Sequence, residues 1–237
     1  MTFVGVFLNA FGVLVAGVFG GVLKRGVPEK LKSATLMGLG MCMLYIGVSG
    51  VTSETDVVVL LISVTVGALV GNAIDLDQRL RQLGSWMQRA LPGKDDNVAD
   101  AFVTSTLVVC AGALSIVGGI ESGTQGTYST FAYKTIIDFL LVFFLATSKG
   151  MGCSLSAVVT FVYQGAITLF AGWIATVVND VVISQMSQIG SLLIIGIGLN
   201  QMNVTNIKLA NFILSPFVPV LLFVGQSAFG QISGAFI

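Results

Sequence analysis

The chain has 237 residues, 55% of them hydrophobic and 9% charged, with a mean hydropathy of +0.95 and a formal net charge of +0. A water-soluble domain carries about 25% charged residues, so a soluble globular fold is excluded, and the absence of clustered positive charge argues against a nucleic-acid partner. There is no histidine, which removes the commonest general base and metal ligand.

Eight apolar segments approach the roughly 20 residues that span a bilayer core. The first, 3–23, lacks the positively charged start of a secretory signal and is expected to stay as a membrane helix. Gly12, Ala16 and Gly20 recur along it at four-residue spacing. A tight loop with Gly26 and Pro28 leads to the second, 33–51; the third, 56–74, carries the GxxxG pair Gly67 and Gly71. Small residues of this kind allow close helix packing in lipid, either within one chain or across a homodimer.

From Asp75 to Leu91, Leu76, Leu80, Leu83, Trp86 and Leu91 fall at helical spacing, with Arg79, Arg81, Gln82 and Arg89 between them. That pattern predicts an amphipathic helix lying in the bilayer interface. A Pro92-Gly93 turn closes it. The fourth segment, 101–119, runs into a glycine-rich loop, Gly118 to Thr130, and the fifth is 131–148. The sixth is 153–177, the seventh 185–202 and the eighth 209–232. The seventh has the shortest apolar core, Ile189 to Leu199, and is expected to be broken or re-entrant if any is.

The predicted fold is therefore all-α: a single transmembrane domain over 1–237 with seven or eight spans plus one interfacial helix. Its parts are the first three spans in 1–74, the interfacial helix and loop in 75–100, two spans in 101–148 and three in 153–237. A weak match of Asn9–Gly17 to Gln164–Gly172 relates spans one and six as an inverted repeat, the commonest transporter plan. A competing register pairs Lys24, Gly40, Leu44 and Gly47 with Lys149, Gly165, Leu169 and Gly172 in parallel.

Orientation follows from charge. Lys24, Arg25, Lys30 and Lys32 fill the first gap between spans, and Arg79, Arg81, Arg89 and Lys94 the third. Lys149 lies in the fifth and Lys208 in the seventh. The even gaps hold Glu54, Asp56, Glu121 and Asp180 and no Lys or Arg. Positive loops stay in the cytoplasm, so the odd gaps are expected inside and both termini outside.

One cation breaks the pattern. Lys134 lies within span five, four residues from Asp138 and so on the same helical face. A charge at membrane depth costs about 2.5–3.5 kcal/mol on insertion scales and normally meets a partner or water. Two readings follow: an ion pair that neutralises itself and holds span five to its neighbours, or a carboxylate that binds a cation or proton under the influence of Lys134. Asn9, Thr104, Ser105, Gln164 and Asn200 are the other polar residues in the spans with oxygens able to ligate a solute, or to bond between helices. Glu121 sits in the glycine-rich loop leading to Lys134, either solvated or lining an outer vestibule.

No enzymatic motif is visible: there is no GxSxG, P-loop or HExxH. Cys42, Cys110 and Cys153 are isolated, which speaks against disulfides or zinc. No catalytic role, cofactor or metal is expected; the partners are the lipid bilayer and a small solute or cation.

The stretches Leu23-Lys-Arg-Gly-Val-Pro-Glu29, Gly67-Ala-Leu-Val-Gly71, Phe102-Val-Thr-Ser-Thr106 with Cys110, Lys134-Thr-Ile-Ile-Asp138 and Gly190 to Asn200 occur in an order that resembles the bacterial inner-membrane family called domain of unknown function 554. Where relatives tend to carry Gly-Asp in the outer loop, this chain has Gly126-Thr127. The resemblance implies a multi-spanning bacterial membrane protein, with a transporter as the usual guess and no substrate. The sequence thus points to a secondary transporter or permease, with a non-transporting scaffold or sensor component as the alternative. A channel comes third, because no acidic ring or filter-like segment is present.

Overall fold

A computed structural model describes residues 3–26, 28–51, 56–88, 98–110 and 114–225 of the chain, and among these there is no strand. Glu54, Arg89, Lys94, the Pro92-Gly93 turn and the tail of the eighth segment, 226–232, lie outside the described residues. The helices are α1 (Val4–Leu23), α2 (Glu29–Gly50), α3 (Val57–Ala73), α4 (Leu76–Gln88), α5 (Val98–Cys110), α6 (Leu114–Gln125), α7 (Ser129–Lys149), α8 (Ser156–Leu169), α9 (Ala171–Val177) and α10 (Asp180–Gln201). A 3-10 turn, Met151–Leu155, leads into α8, and the apolar segment Leu209–Gly225 follows α10.

Among the described residues, five helical stretches are long and apolar enough to cross a membrane: α1, α2, α7, Met151–Leu169 and α10. Counting each of the bent pairs α3–α4 and α5–α6 as one span brings the number to seven. Of the predicted eighth span, the described part is the apolar segment Leu209–Gly225. Large apolar side chains cover the outside of the bundle, among them Phe7, Phe11, Phe19, Met41 and Leu69, as expected where the solvent is lipid.

Three sequence expectations are corrected. The seventh segment is an unbroken helix of 22 residues, capped where Asn179 Oδ1 accepts from Val182 N at 2.9 Å. The fourth is the one that bends sharply: the axes of Val98–Cys110 and Leu114–Gln125 lie 61° apart. The region predicted as a loop from Gly118 is helical as far as Gln125. The predicted interfacial helix forms as α4, leaving α3 at 56° through Asp75, whose φ of 46° is a left-handed conformation that Asp tolerates. Gly84 of α4 lies on Phe102 and Ala99 of α5, while Leu83 and Trp86 stay exposed beside Arg79.

The glycine stripes are used inside the chain. Along α1, Gly5 meets Phe131, Gly12 meets Thr135 and Gly20 meets Phe143 and Ala146, so α1 and α7 run parallel. The α2 glycines meet α10 in reverse order, Gly40 against Gly198 and Met202 and Gly47 against Ser191 and Ile195, so these two are antiparallel. Gly67 and Gly71 seat Ser215 and Asn211, and a Cβ at Gly71 would overlap the carbonyl of Asn211. Gly71→Ala is therefore expected to cost about 1–3 kcal/mol or more by overpacking. Gly38→Ala, with open space at its Cβ, should leave the melting temperature in detergent unchanged or slightly raised. Equal melting of the two variants would mean that α3 does not lie against 211–215.

This packing gathers the odd gaps at one end of the bundle. Lys24 Nζ donates to the carbonyl of Lys149 at 3.1 Å, and Ser148 Oγ to that of Lys32 at 3.3 Å. Lys149 in turn pairs with Asp100, which also lies 3.5 Å from Arg81. The cations that sort by gap in the sequence thus meet in space.

Candidate functional site

Among the described residues two polar clusters stand out, one buried and one around an open cavity. In the buried site, Lys134 and Asp138 of α7 are 3% and 2% exposed. Lys134 Nζ lies 3.0 Å from Asp138 Oδ1 and 2.8 Å from Oδ2. It also donates to the carbonyl of Val109 in α5 at 2.9 Å. Asn9 Nδ2 donates to Asp138 Oδ2 at 2.9 Å and to Gln164 Oε1 at 3.2 Å. Gln164 Nε2 reaches Ser115 Oγ at 3.3 Å, just past the break. The network therefore ties α1, α7 and α8 to both sides of the α5–α6 break. Asn9 Oδ1 is buried without a hydrogen-bond partner.

Sequence reasoning found four members of this network, since Asn, Gln, Lys and Asp stand out in apolar segments. It missed Ser115 and the Val109 carbonyl. A serine in a span is ordinary, and a backbone acceptor leaves no mark in the sequence. Asn9 and Gln164 meet where α1 and α8 cross antiparallel, with Gly17 against Ser154 further along. The inverted match pairs these same two positions.

The other predicted residues go elsewhere. Ser105 Oγ is 2.8 Å from Ser156 Oγ and donates to the Cys153 carbonyl, which fastens α5 to the turn before α8. Glu121 accepts from Thr127 Oγ1 at 2.7 Å and Thr130 N at 3.2 Å, holding the link between α6 and α7. Asn200 Oδ1 accepts from Thr205 Oγ1 and Ile207 N, and its amide donates to the Ile207 carbonyl. This clamps the loop after α10.

Asn200 and Thr104 also line the open site, a polar cavity of about 600 Å³ at the end of the bundle where the odd gaps gather. Asp77, Arg81, Asp100 and Lys149 stand on its wall. Arg81 Nε holds Asp77 Oδ2 at 2.8 Å, and Lys149 Nζ holds Asp100 Oδ2 at 2.5 Å. The bond to Asp77, opposed by burial and aided by the charges of Asp77 and Asp100, pushes the Arg81 guanidinium above its ordinary pKa. Two cations face two carboxylates, so the wall is neutral overall. Sequence reasoning used Arg81 for the amphipathic helix and for topology and Lys149 for topology alone; the i, i+4 spacing of Asp77 and Arg81 was the available clue to a site.

The two ion-pair systems differ in how readily they exchange partners. The Arg81 and Asp100 side chains are 45% and 41% exposed, where a pair is worth about 0–1 kcal/mol. Stranding one partner of a buried pair such as Lys134–Asp138 costs about 3–5 kcal/mol.

A second cavity, of about 220 Å³ and almost wholly apolar, adjoins the polar one. Leu107, Ile197 and Leu209 line both. Beyond them it is bounded by Cys110, Tyr163, Met186 and Phe217, beside the α5–α6 break. A third, of about 290 Å³, shares Ile116, Met186 and Phe217 with it and reaches Trp173 and Leu221 on the surface.

The sequence profile of the family described as "Protein of unknown function (DUF554)" matches residues 4–224. The chain belongs to this family. It is 25% identical over 230 residues to "Uncharacterized membrane protein YdfK" of Bacillus subtilis (strain 168), covering 95% of this chain and 98% of that one. It is 24% identical over 202 residues to "Uncharacterized protein YqgA" of Escherichia coli (strain K12), covering 83% and 86%. No solved structure matches it. With its apolar helices, the chain is a membrane protein, a helical bundle of the DUF554 family.

Proposed function

We propose that this DUF554 protein is a secondary transporter or permease of a small solute in the bacterial inner membrane, drawn in a state open to the cytoplasm. The observation that carries the reading is the polar cavity: it opens among the cationic gaps, reaches in to Leu107, Ile197 and Leu209, and is separated by those three side chains from an apolar cavity beside the α5–α6 bend. Broken helices next to cavities are a recurrent feature of transporter binding sites. In this reading Lys134, Asp138, Asn9 and Gln164 form a neutral hub that holds the break, and the solute passes beside them. Purified protein in liposomes, screened for uptake and efflux with and without proton or sodium gradients, tests it. Flux indistinguishable from protein-free liposomes for every solute class, with correctly folded protein, counts against it.

Orientation has its own test. Single thiols at Asn206 and Glu121 are expected to react from opposite sides of the membrane, the first from the cytoplasm. Reaction of both from one side overturns the topology.

A non-transporting scaffold or sensor component is the second reading. The burial and mutual pairing of Lys134 and Asp138 favour it, because a coupling carboxylate must exchange a proton or cation at some stage.

A further inference from the structure

We infer that the solute is a small zwitterion with an apolar tail, of the kind an aliphatic or aromatic α-amino acid presents. The inference rests on the transporter reading and deepens it. The wall of the polar cavity carries the two signs of charge in equal number, Arg81 and Lys149 against Asp77 and Asp100. An anion would find two cations already balanced by carboxylates, and a cation the reverse. A zwitterion replaces both halves of the exposed pair at once: its carboxylate takes Arg81 and its ammonium takes Asp100, which face each other at 3.5 Å, while Arg81 Nε keeps the buried Asp77. The partial exposure of Arg81, Asp100 and Lys149 makes that exchange cheap. The hydrogen-bonding groups of Thr104, Asn200 and Gln201 lie on the same wall.

The tail follows from the adjoining cavity. Past Leu107, Ile197 and Leu209 the lining is Cys110, Tyr163, Met186 and Phe217, and carries no charge. An apolar cavity of about 150 Å³ holds benzene. The 220 Å³ here therefore takes a side chain of leucine or phenylalanine size, whereas a desolvated cation would lie among hydrocarbon. Head and tail sites share three wall residues, Leu107, Ile197 and Leu209, which must move aside for one small molecule to occupy both.

The test is equilibrium binding of radiolabelled L-leucine to the full chain in lipid nanodiscs, with competition by analogues. Unlabelled leucine and phenylalanine are expected to compete. Leucinamide, which lacks the carboxylate, 4-methylpentanoate, which lacks the ammonium, and glycine, which lacks the tail, should each compete about tenfold less well or worse, the scale of a lost charge-assisted bond or a lost buried side chain. Arg81→Gln should lose binding and Arg81→Lys keep part of it. Met186→Trp, which fills the apolar cavity, should abolish the preference for leucine over glycine. If Arg81→Gln fails to fold, the analogue series on the unaltered protein decides alone. Absence of leucine and phenylalanine binding to folded protein overturns the inference, as does competition by leucinamide or 4-methylpentanoate equal to that of leucine. Leucine bound but moved by no gradient would leave the site standing and defeat the transport reading. Flux of another solute without leucine binding would do the opposite.

Discussion

Lys134→Met and Asp138→Asn are each expected to destabilise the protein by about 3–5 kcal/mol, and the double variant to recover most of that loss. The reason lies in what each single change leaves behind. Without Lys134, the Asp138 carboxylate keeps only the amide of Asn9; without the carboxylate, the Lys134 ammonium keeps the Val109 carbonyl and a neutral amide. Both positions are 2–3% exposed, so water does not make up the difference. Removing the pair together leaves no stranded charge. For a chain of this size each kcal/mol moves the melting temperature by about 2–4 °C, which puts the singles about 6–20 °C below the unaltered protein. Thermal melting in detergent, run beside gradient-driven flux in liposomes, reads both properties. If Asp138→Asn instead melts like the unaltered protein and loses all gradient-driven flux, Asp138 is a coupling carboxylate and the hub interpretation fails.

The sequence revealed the fold where physics acts on single residues. Apolar runs of spanning length marked most crossings, and the sorting of Lys and Arg anticipated which gaps would share one end of the bundle. It misled where the decisive feature was tertiary. The run Ile189–Leu199 looked too short for a span, but α10 is extended on its N-terminal side by the Asn179 cap and by Val182 and Met186, which pack on Ile116 and Ile167. The break in the fourth span stood inside an apolar stretch with no proline to announce it.

The candidate site divides in the same way. Asn9, Lys134, Asp138 and Gln164 were visible because polar groups are expensive in lipid, and three helices bring them together. Arg81 was read on the polar face of the interfacial helix and Lys149 as a gap charge, and Asp77 and Asp100 drew no reading, because charge is cheap where it flanks a span. Only folding shows that α4 turns back onto the start of α5, and α7 ends beside it, so that these four charges become one wall. Depth in the span was therefore a guide to the buried network and a poor guide to the open one.

The row of three cavities makes a further prediction that needs no substrate. In a background lacking Cys42, Cys110 and Cys153, a thiol at Thr104 is expected to react rapidly with a membrane-impermeant reagent in inverted vesicles, because Thr104 lines the polar cavity. A thiol at Met186 lies beyond Leu107, Ile197 and Leu209, in space bounded by apolar side chains. It should react about a hundredfold more slowly from that face, since reaching it requires a local opening of about 2.7 kcal/mol. A transporter alternates, so Met186→Cys should gain reactivity from the opposite face in a fraction of the molecules, through the cavity it shares with Ile116 and Phe217. Equal rates at the two positions from one face would mean a continuous pore, and the protein would be a channel. Slow reaction at Thr104→Cys in folded protein would mean that the charged wall is closed to water, leaving the exchange of Arg81, Asp100 and Lys149 partners without a route and the scaffold reading in possession of both polar sites.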